Sequence, residues 1–467
     1  MSADTGLPRW LADELEHVPR YDSFRTADEL AEGLREIAAA HPDRTTLERV
    51  GTSRQGEPLL CLTIEPDGVS STGARTPEGL AFGIPHPNEP IGGLTALHLA
   101  RRVAEDAGLR RRLGLRWRVI ACIDPDGLRL NEGWLKGPFT RAHYSRHFYR
   151  PAGADQVEWT FPLNHEGAYF DTPIAETQAL MRIIDTHRPA LVCSLHNSEL
   201  GGVYYYLSRP EPELHPVLQA VPEHWGLSLD RGEPESPDLV RLADGVFRSG
   251  SISRAYDRRI ARGETWSNTA GDNTTSYVDR HGGLTLVSEL PYWTDPRSGD
   301  TSPASASYAA ALDANARGIA ELADLLTTSL HETAGDLLAG DSQLWRASRF
   351  FATYTTRAAN ATRLRAEAAE AQRPATVAEA TSLAANVHAQ RLRFAGILLR
   401  ALTGEVVAGN VRASVRRAHR RVQEAYEAWV AADAAELDHE FIEIRKLVGT
   451  QYAATISAAA HLAGNLA

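Results

Sequence analysis

The chain has 467 residues, 43% of them hydrophobic and 23% charged, which suits a soluble globular protein with room for two or three domains. Its net charge of -11, with no block of Lys and Arg, argues against a nucleic-acid surface. No stretch approaches the ~20 apolar residues a bilayer span needs. Residues 1–20 lack the apolar run of a signal peptide. The three cysteines, Cys61, Cys122 and Cys193, fall in apolar strand-like runs and read as core thiols of a cytoplasmic protein, not as a disulfide frame.

From the N-terminus, the first informative segment is His86-Pro87-Asn88-Glu89-Pro90. It follows an apolar run at residues 80–84 and precedes a helical pattern carrying Leu94, Leu97, His98 and Val103. Pro90 suits a first helical turn, where a missing N–H costs little. His86 and Glu89, three apart at a strand-to-helix turn, can reach one metal ion, although the pair also suits a helix cap. Zinc in hydrolases commonly takes two His and one Glu, leaving one position open.

A second apolar strand, residues 190–195, delivers His196 to a loop, and the Tyr204-Tyr205-Tyr206 run after it reads as a strand with one buried face. A third strand, residues 284–288, leads into Glu289. In open α/β sheets, sites form outside the carboxyl ends of strands, and a carboxylate there can act as general base on metal-activated water. Residues 295–307 read as a loop and residues 308–330 as a closing helix. From residue 331 the composition turns to Ala, Arg and Glu, with helix breaks expected near Gly340, Pro374, Gly404 to Gly409 and Asp433. Phe394, Ile397, Leu398, Ala401 and Leu402 recur at helical spacing. The expected organisation is an N-terminal extension (1–20), an α/β unit with a mixed, mostly parallel sheet flanked by helices (21–330), and an all-α bundle (331–467). That bundle is expected to form a homodimer, cap the site or hold a partner.

The order strand, His-x-x-Glu, helix, then Ser194-Leu195-His196-Asn197, then a strand ending in Glu289-Leu290 resembles the zinc metallocarboxypeptidases. Residues 50–59, VGTSRQGEPL, resemble that family's hairpin ahead of the first ligand. Asp124-Pro125-Asp126-Gly127 resembles its "NPDG" strand end, and residues 175–180, AETQAL, its helix start before the second His. The resemblance covers roughly residues 20–330. It implies that His86, Glu89 and His196 bind Zn2+ and that Glu289 is the general base and acid. It also implies that Asp155, in Gly153-Ala154-Asp155, accepts a hydrogen bond from the first zinc His. Arg141 falls where the family keeps the Arg that polarises the scissile carbonyl, with Arg146 as its rival.

The same comparison exposes departures. Where the family has an Asn-Arg pair that clamps a terminal carboxylate, this chain reads Val157 and Glu158. Arginine suits that role because its planar fork binds a carboxylate through two bonds, and glutamate would repel one. Arg141, His143, Arg146, His147 and Arg150 offer replacements, and a shifted alignment offers Asn164 and His165. The family's capping Tyr would fall near Ser267 or Asn268, with Tyr277 as a substitute. The HxNEP form also resembles the aspartoacylase and desuccinylase branch. The expected function is a zinc hydrolase cleaving an amide bond at the C-terminal end of a peptide or amino-acid conjugate. The alternatives are a deacylase or amidase whose substrate lacks a free carboxylate there, and a non-catalytic scaffold.

Overall fold

The computed structural model describes residues 6–67, 76–236, 239–263, 270–437 and 439–467. Ser267 and Asn268 lie outside the described residues. At the centre is a nine-stranded mixed sheet. Its strands are β1 Thr45–Thr52, β2 Pro58–Ile64, β3 Glu78–Gly83, β4 Arg116–Ile120, β5 Leu191–Leu195, β6 Tyr204–Leu207, β7 Val240–Ala243, β8 Val246–Arg248 and β9 Leu284–Glu289. They lie side by side as β1-β2-β4-β3-β5-β9-β6-β8-β7. The run β4-β3-β5-β9 is parallel throughout, and β2 and β6 join it antiparallel on either side. Every residue of β3, β5 and β9 is buried, as strands covered on both faces require.

The helices that bear on the core and the site are α1 Arg9–Leu15, α2 Ala27–Ala40, α3 Ile91–Glu105, α4 Arg141–His147, α5 Ala175–His187, α6 Tyr308–Thr333, α7 Gln343–Glu367, α8 Val377–Val407, α9 Ala413–Glu436 and α10 Ile444–Leu462. No helix among the described residues is long and apolar enough to cross a membrane. Side chains alternate across the sheet. Leu80, Phe82 and Val192 meet Leu180 and Ile184 of α5 on one face. Ala81, Cys193 and Leu195 belong to the larger core on the other, with α2, α3 and α10.

The helices α6 to α9 pack on one another, and α8 also packs on α4. The last helix takes a different course. Its residues from Leu447 to Ala460 are all buried, and it packs on α1, α3, β5 and β9. Leu447, Val448 and Ile456 are fully buried, each contributing roughly 1.5–3 kcal/mol. One apolar cluster therefore runs from Leu11 to Ala460. Buried Glu14 of α1 fixes the arrangement, accepting from Arg102 Nε of α3 at 2.7 Å and from the Tyr452 hydroxyl of α10 at 2.7 Å. Two short ladders add to the joins: Pro303–Ser307 pairs with Pro374–Thr376, and Trp293–Thr294 with Glu440–Phe441. Part of the stretch read as a loop after β9 is thus strand, because residues of the helical region supply its partner.

Candidate metal centre

The carboxyl ends of β3, β5 and β9 are neighbours, and they carry His86, His196 and Glu289 respectively. Two glycines permit the close approach of α3. A Cβ on Gly83 would lie 2.5 Å from the Gly92 carbonyl oxygen, and one on Gly92 would lie 2.5 Å from the Leu195 carbonyl oxygen. Between β3 and the turn, Ile84 is fully buried with φ 60°. A β-branched residue there stores strain on the order of 1–3 kcal/mol, which the surrounding packing must hold. The turn then closes with the Glu89 N–H donating to the His86 carbonyl at 3.0 Å.

Donor atoms of His86, Glu89 and His196 all lie within 4.8 Å of one another, and all three residues are buried. Among the described residues this is the one His/Cys/Asp/Glu group of its kind. The two imidazoles sit edge to face with centroids 5.0 Å apart. His196 Nδ1 is 3.0 Å from Glu89 Oε2 and 3.8 Å from Glu289 Oε1. His86 Nδ1 is buried without a hydrogen-bond partner. An orphaned imidazole nitrogen beside a second imidazole and a carboxylate is a donor set that fits zinc.

The electrostatics match a place for a cation. Burial, with Arg150 and His196 adding, holds the His86 imidazole well below its usual range. Burial also opposes charge on His196, yet Glu89, Glu289 and Glu158 outweigh it and raise that imidazole to about 9. Burial, with Glu235 and Glu89 adding, pushes the Glu289 carboxyl well above the usual range. A divalent cation among these atoms would invert that balance, favouring neutral imidazoles and ionised carboxylates.

Supporting groups aim the donors. The Ser194 hydroxyl is 2.8 Å from His196 Nε2, and Glu158 Oε2 is 3.9 Å from it. Glu89 accepts from Arg150 Nη1 at 3.1 Å and from the Asn197 N–H at 3.2 Å. The Tyr292 hydroxyl donates to the Asn88 carbonyl at 2.7 Å. Gln451 Nε2, from α10, donates to the His196 carbonyl at 2.8 Å. Ser194 and Arg150 stood in segments the sequence had marked. Gln451 had no stronger signal than a polar side chain in an Ala-rich apolar helix.

Several sequence expectations need correction. Asp155 does not meet His86: it holds Arg54 Nη1 at 3.2 Å and Arg346 Nε of α7 at 3.1 Å. Arg141 is 1% exposed by its side chain, with Nε and Nη2 on Asp433 of α9 and Nη1 on Glu199. Every nitrogen of its fork meets a carboxylate and the side chain is shut away from solvent, the surroundings of a structural ion pair. Arg146 lies exposed over the Tyr426 ring, 5.3 Å from its centroid. Val157 is fully buried in the apolar cluster under α5. Glu158 is buried, accepts from the Thr274 N–H and hydroxyl at 3.1 and 2.8 Å, and so backs His196 instead of standing free as the sequence suggested. Tyr277 is a packing residue whose hydroxyl donates to Asp185 at 2.8 Å. The shifted alternative fares no better: Asn164 and His165 lie on a small hairpin, where His165 pairs with Asp257 at 2.7 Å.

A family profile described as zinc carboxypeptidase matches residues 30–291, more than half of the chain. No curated protein matches the sequence at a significant level. Similar solved structures include a metallo-carboxypeptidase from Burkholderia cenocepacia, at 16% identity, 57% of this chain, 60% of that one and a TM-score of 0.35. Carboxypeptidase A from Helicoverpa armigera gives 16% identity over 77% of this chain and 79% of that one, with a TM-score of 0.38. Bovine thrombin-activatable fibrinolysis inhibitor, solved with tick carboxypeptidase inhibitor, gives 15% identity, 57% and 86% coverage and a TM-score of 0.37. The chain thus spans 60% of the length of the Burkholderia cenocepacia protein.

Proposed function

Because this chain belongs to the zinc carboxypeptidase family, we propose that it is a zinc-dependent hydrolase that cleaves an amide bond at the C-terminal end of a peptide or amino-acid conjugate. The observation that carries the reading is the grouping of His86, Glu89 and His196 with the buried carboxylate of Glu289 beside them. A zinc ion held by those three side chains supplies Lewis acidity toward a carbonyl and makes water more acidic. Glu289 accepts no hydrogen bond among the described residues, so both of its oxygens are available to take a proton from the attacking water. The same carboxyl then returns that proton to the leaving nitrogen. Ser194 and Glu158 hold His196 from behind, and Arg150 holds Glu89, so the donors stay aimed.

A second reading has its own support. Two of the arginines offered as replacements for the terminal-carboxylate clamp are committed, Arg141 to Asp433 and Glu199 and Arg150 to Glu89 and Gln156, and Arg146 lies exposed over the Tyr426 ring. This favours an amidase or deacylase whose substrate carries no free carboxylate at the cleaved end. The test is to incubate the zinc-loaded chain with a peptide library, half with free C-termini and half amidated, and to read products by mass spectrometry. Loss of single residues from free ends alone supports a carboxypeptidase. Cleavage indifferent to the block supports the amidase. Intact peptides throughout would overturn both.

A further inference from the structure

Strand β6 lies antiparallel beside β9, with Tyr204 opposite Glu289 and Tyr206 opposite Val287. Directly opposed residues of such a pair share a face, and residues two apart on one strand share it too. Both phenol rings therefore stand on the face that carries Glu289. The residues are 7% and 9% exposed, and the rings meet edge to face at 5.7 Å. Their hydroxyls converge on one carboxylate: Tyr204 donates to Glu235 Oε1 at 2.9 Å and Tyr206 to Glu235 Oε2 at 2.8 Å.

Two neutral donors orient that carboxylate without cancelling its charge. Glu233, two residues earlier on the same loop, is instead paired with Arg365 of α7 and accepts from the Tyr308 hydroxyl at 2.6 Å. Its backbone N–H donates to Ser382 of α8 at 3.2 Å. The helical region thus pins the loop through Glu233, while Glu235 has no basic partner among the described residues and remains exposed to solvent. Beside it, Glu289 is only 7% exposed and also lacks a hydrogen-bond donor among the described residues. An oriented, uncompensated carboxylate on the same face as that buried group has the chemistry of a receptor for an organic cation.

Resting on the hydrolase reading of the metal centre, we propose that Glu235, held by Tyr204 and Tyr206, is a specificity subsite for an alkylammonium or guanidinium group on the substrate residue beside the scissile amide. The cation has two possible sources, a basic side chain or a free α-amine, and the probes separate them.

The experiment uses the zinc-loaded full chain and paired probes. Benzoylglycyl-arginine is compared with benzoylglycyl-citrulline, each as free acid and amide, and alanyl-citrulline amide with its N-acetyl form. The wild type is expected to favour the charged member of one pair by on the order of tenfold in kcat/KM. In Glu235→Gln that ratio falls to near one, Glu235→Asp restores part of it, and Tyr206→Phe, which keeps the ring, lowers it. A wild type indifferent to charge, or a preference that survives in Glu235→Gln, overturns the proposal. If no probe is cleaved, calorimetric binding of arginine amide against citrulline amide reads the subsite alone. A preference that vanishes in Glu235→Gln keeps the subsite and overturns the hydrolase reading, and equal binding overturns the subsite.

Discussion

Gln451 of the last helix donates its side-chain amide to the backbone carbonyl of His196 at 2.8 Å. Gln451 is fully buried, so no water can replace that bond. The helical region therefore holds the loop that presents one member of the candidate metal-binding group. Gln451→Leu leaves a buried carbonyl without a donor, a cost of about 1–3 kcal/mol. We expect a lower Tm and zinc binding weakened by about tenfold, the size seen when supporting groups around metal sites are removed. Competition with a zinc chelator measures the second effect, and unchanged zinc affinity would show that the loop is held by other contacts.

Glu289 lies 3.8 Å from His196 Nδ1 and outside the donor group itself. Glu289→Gln keeps the shape and removes the proton acceptor. The expected result is one zinc per chain by elemental analysis and a kcat lowered by at least 10²-fold, in line with the loss of a general base. Turnover near the wild-type level would sink the mechanism.

Arg141 and Asp433 join α4 to α9 through a buried ion pair. Asp433→Ala leaves the guanidinium with Glu199 alone, and we expect a loss of up to about 3 kcal/mol. The double variant Arg141→Met with Asp433→Leu replaces the pair by apolar groups and should recover most of that stability. Its kcat should stay within about threefold of wild type, whereas removing a group that stabilises an oxyanion costs about 10²–10³-fold. A loss of that larger size in the double variant would return Arg141 to the reaction.

Asp124 is fully buried, and burial, with Glu176 and Asp126 adding to it, pushes its carboxyl up to about 7. The unfolded chain ionises this group near 3.8, so the folded state binds more protons between about pH 4 and pH 7. Stability therefore falls as pH rises through that window and stays lowered above it. Asp124→Asn removes the penalty and keeps a side-chain oxygen to cap the Gly127 N–H. Calorimetry should find Tm raised by roughly a few degrees at pH 8 and little changed at pH 4. An equal shift at both pH values would count against this account.

The grouping of His86, Glu89 and His196 was legible because His86 and His196 follow buried strands and Glu89 stands three residues after His86, all of them local features of the sequence. The parallel centre of the sheet followed from the same runs. What misled were positions whose role is set by a partner far along the chain. Asp155 looked like a support for His86, but Arg346 lies 191 residues away and claims it. Arg141 is claimed by Asp433, 292 residues away, and Tyr277 by Asp185, 92 residues away. Glu158 looked like a change of specificity because a linear motif cannot show that its side chain folds back behind His196. The helices after residue 331 were readable as helices from composition. That the last of them would enter the core was not, since an Ala-rich apolar helix suits a bundle and a sheet face equally.

The placement of α10 also sets an order of events during synthesis. Glu14 awaits Tyr452, 438 residues later, and the carbonyl of His196 awaits Gln451, 255 residues later. A nascent chain that has released its three metal donors and Glu289 from the ribosome still lacks the helix that closes the sheet face beneath them. Contacts of such sequence separation form late and slowly. The candidate metal centre should therefore take its final form only after residues 444–462 have emerged, not when its own donor residues have.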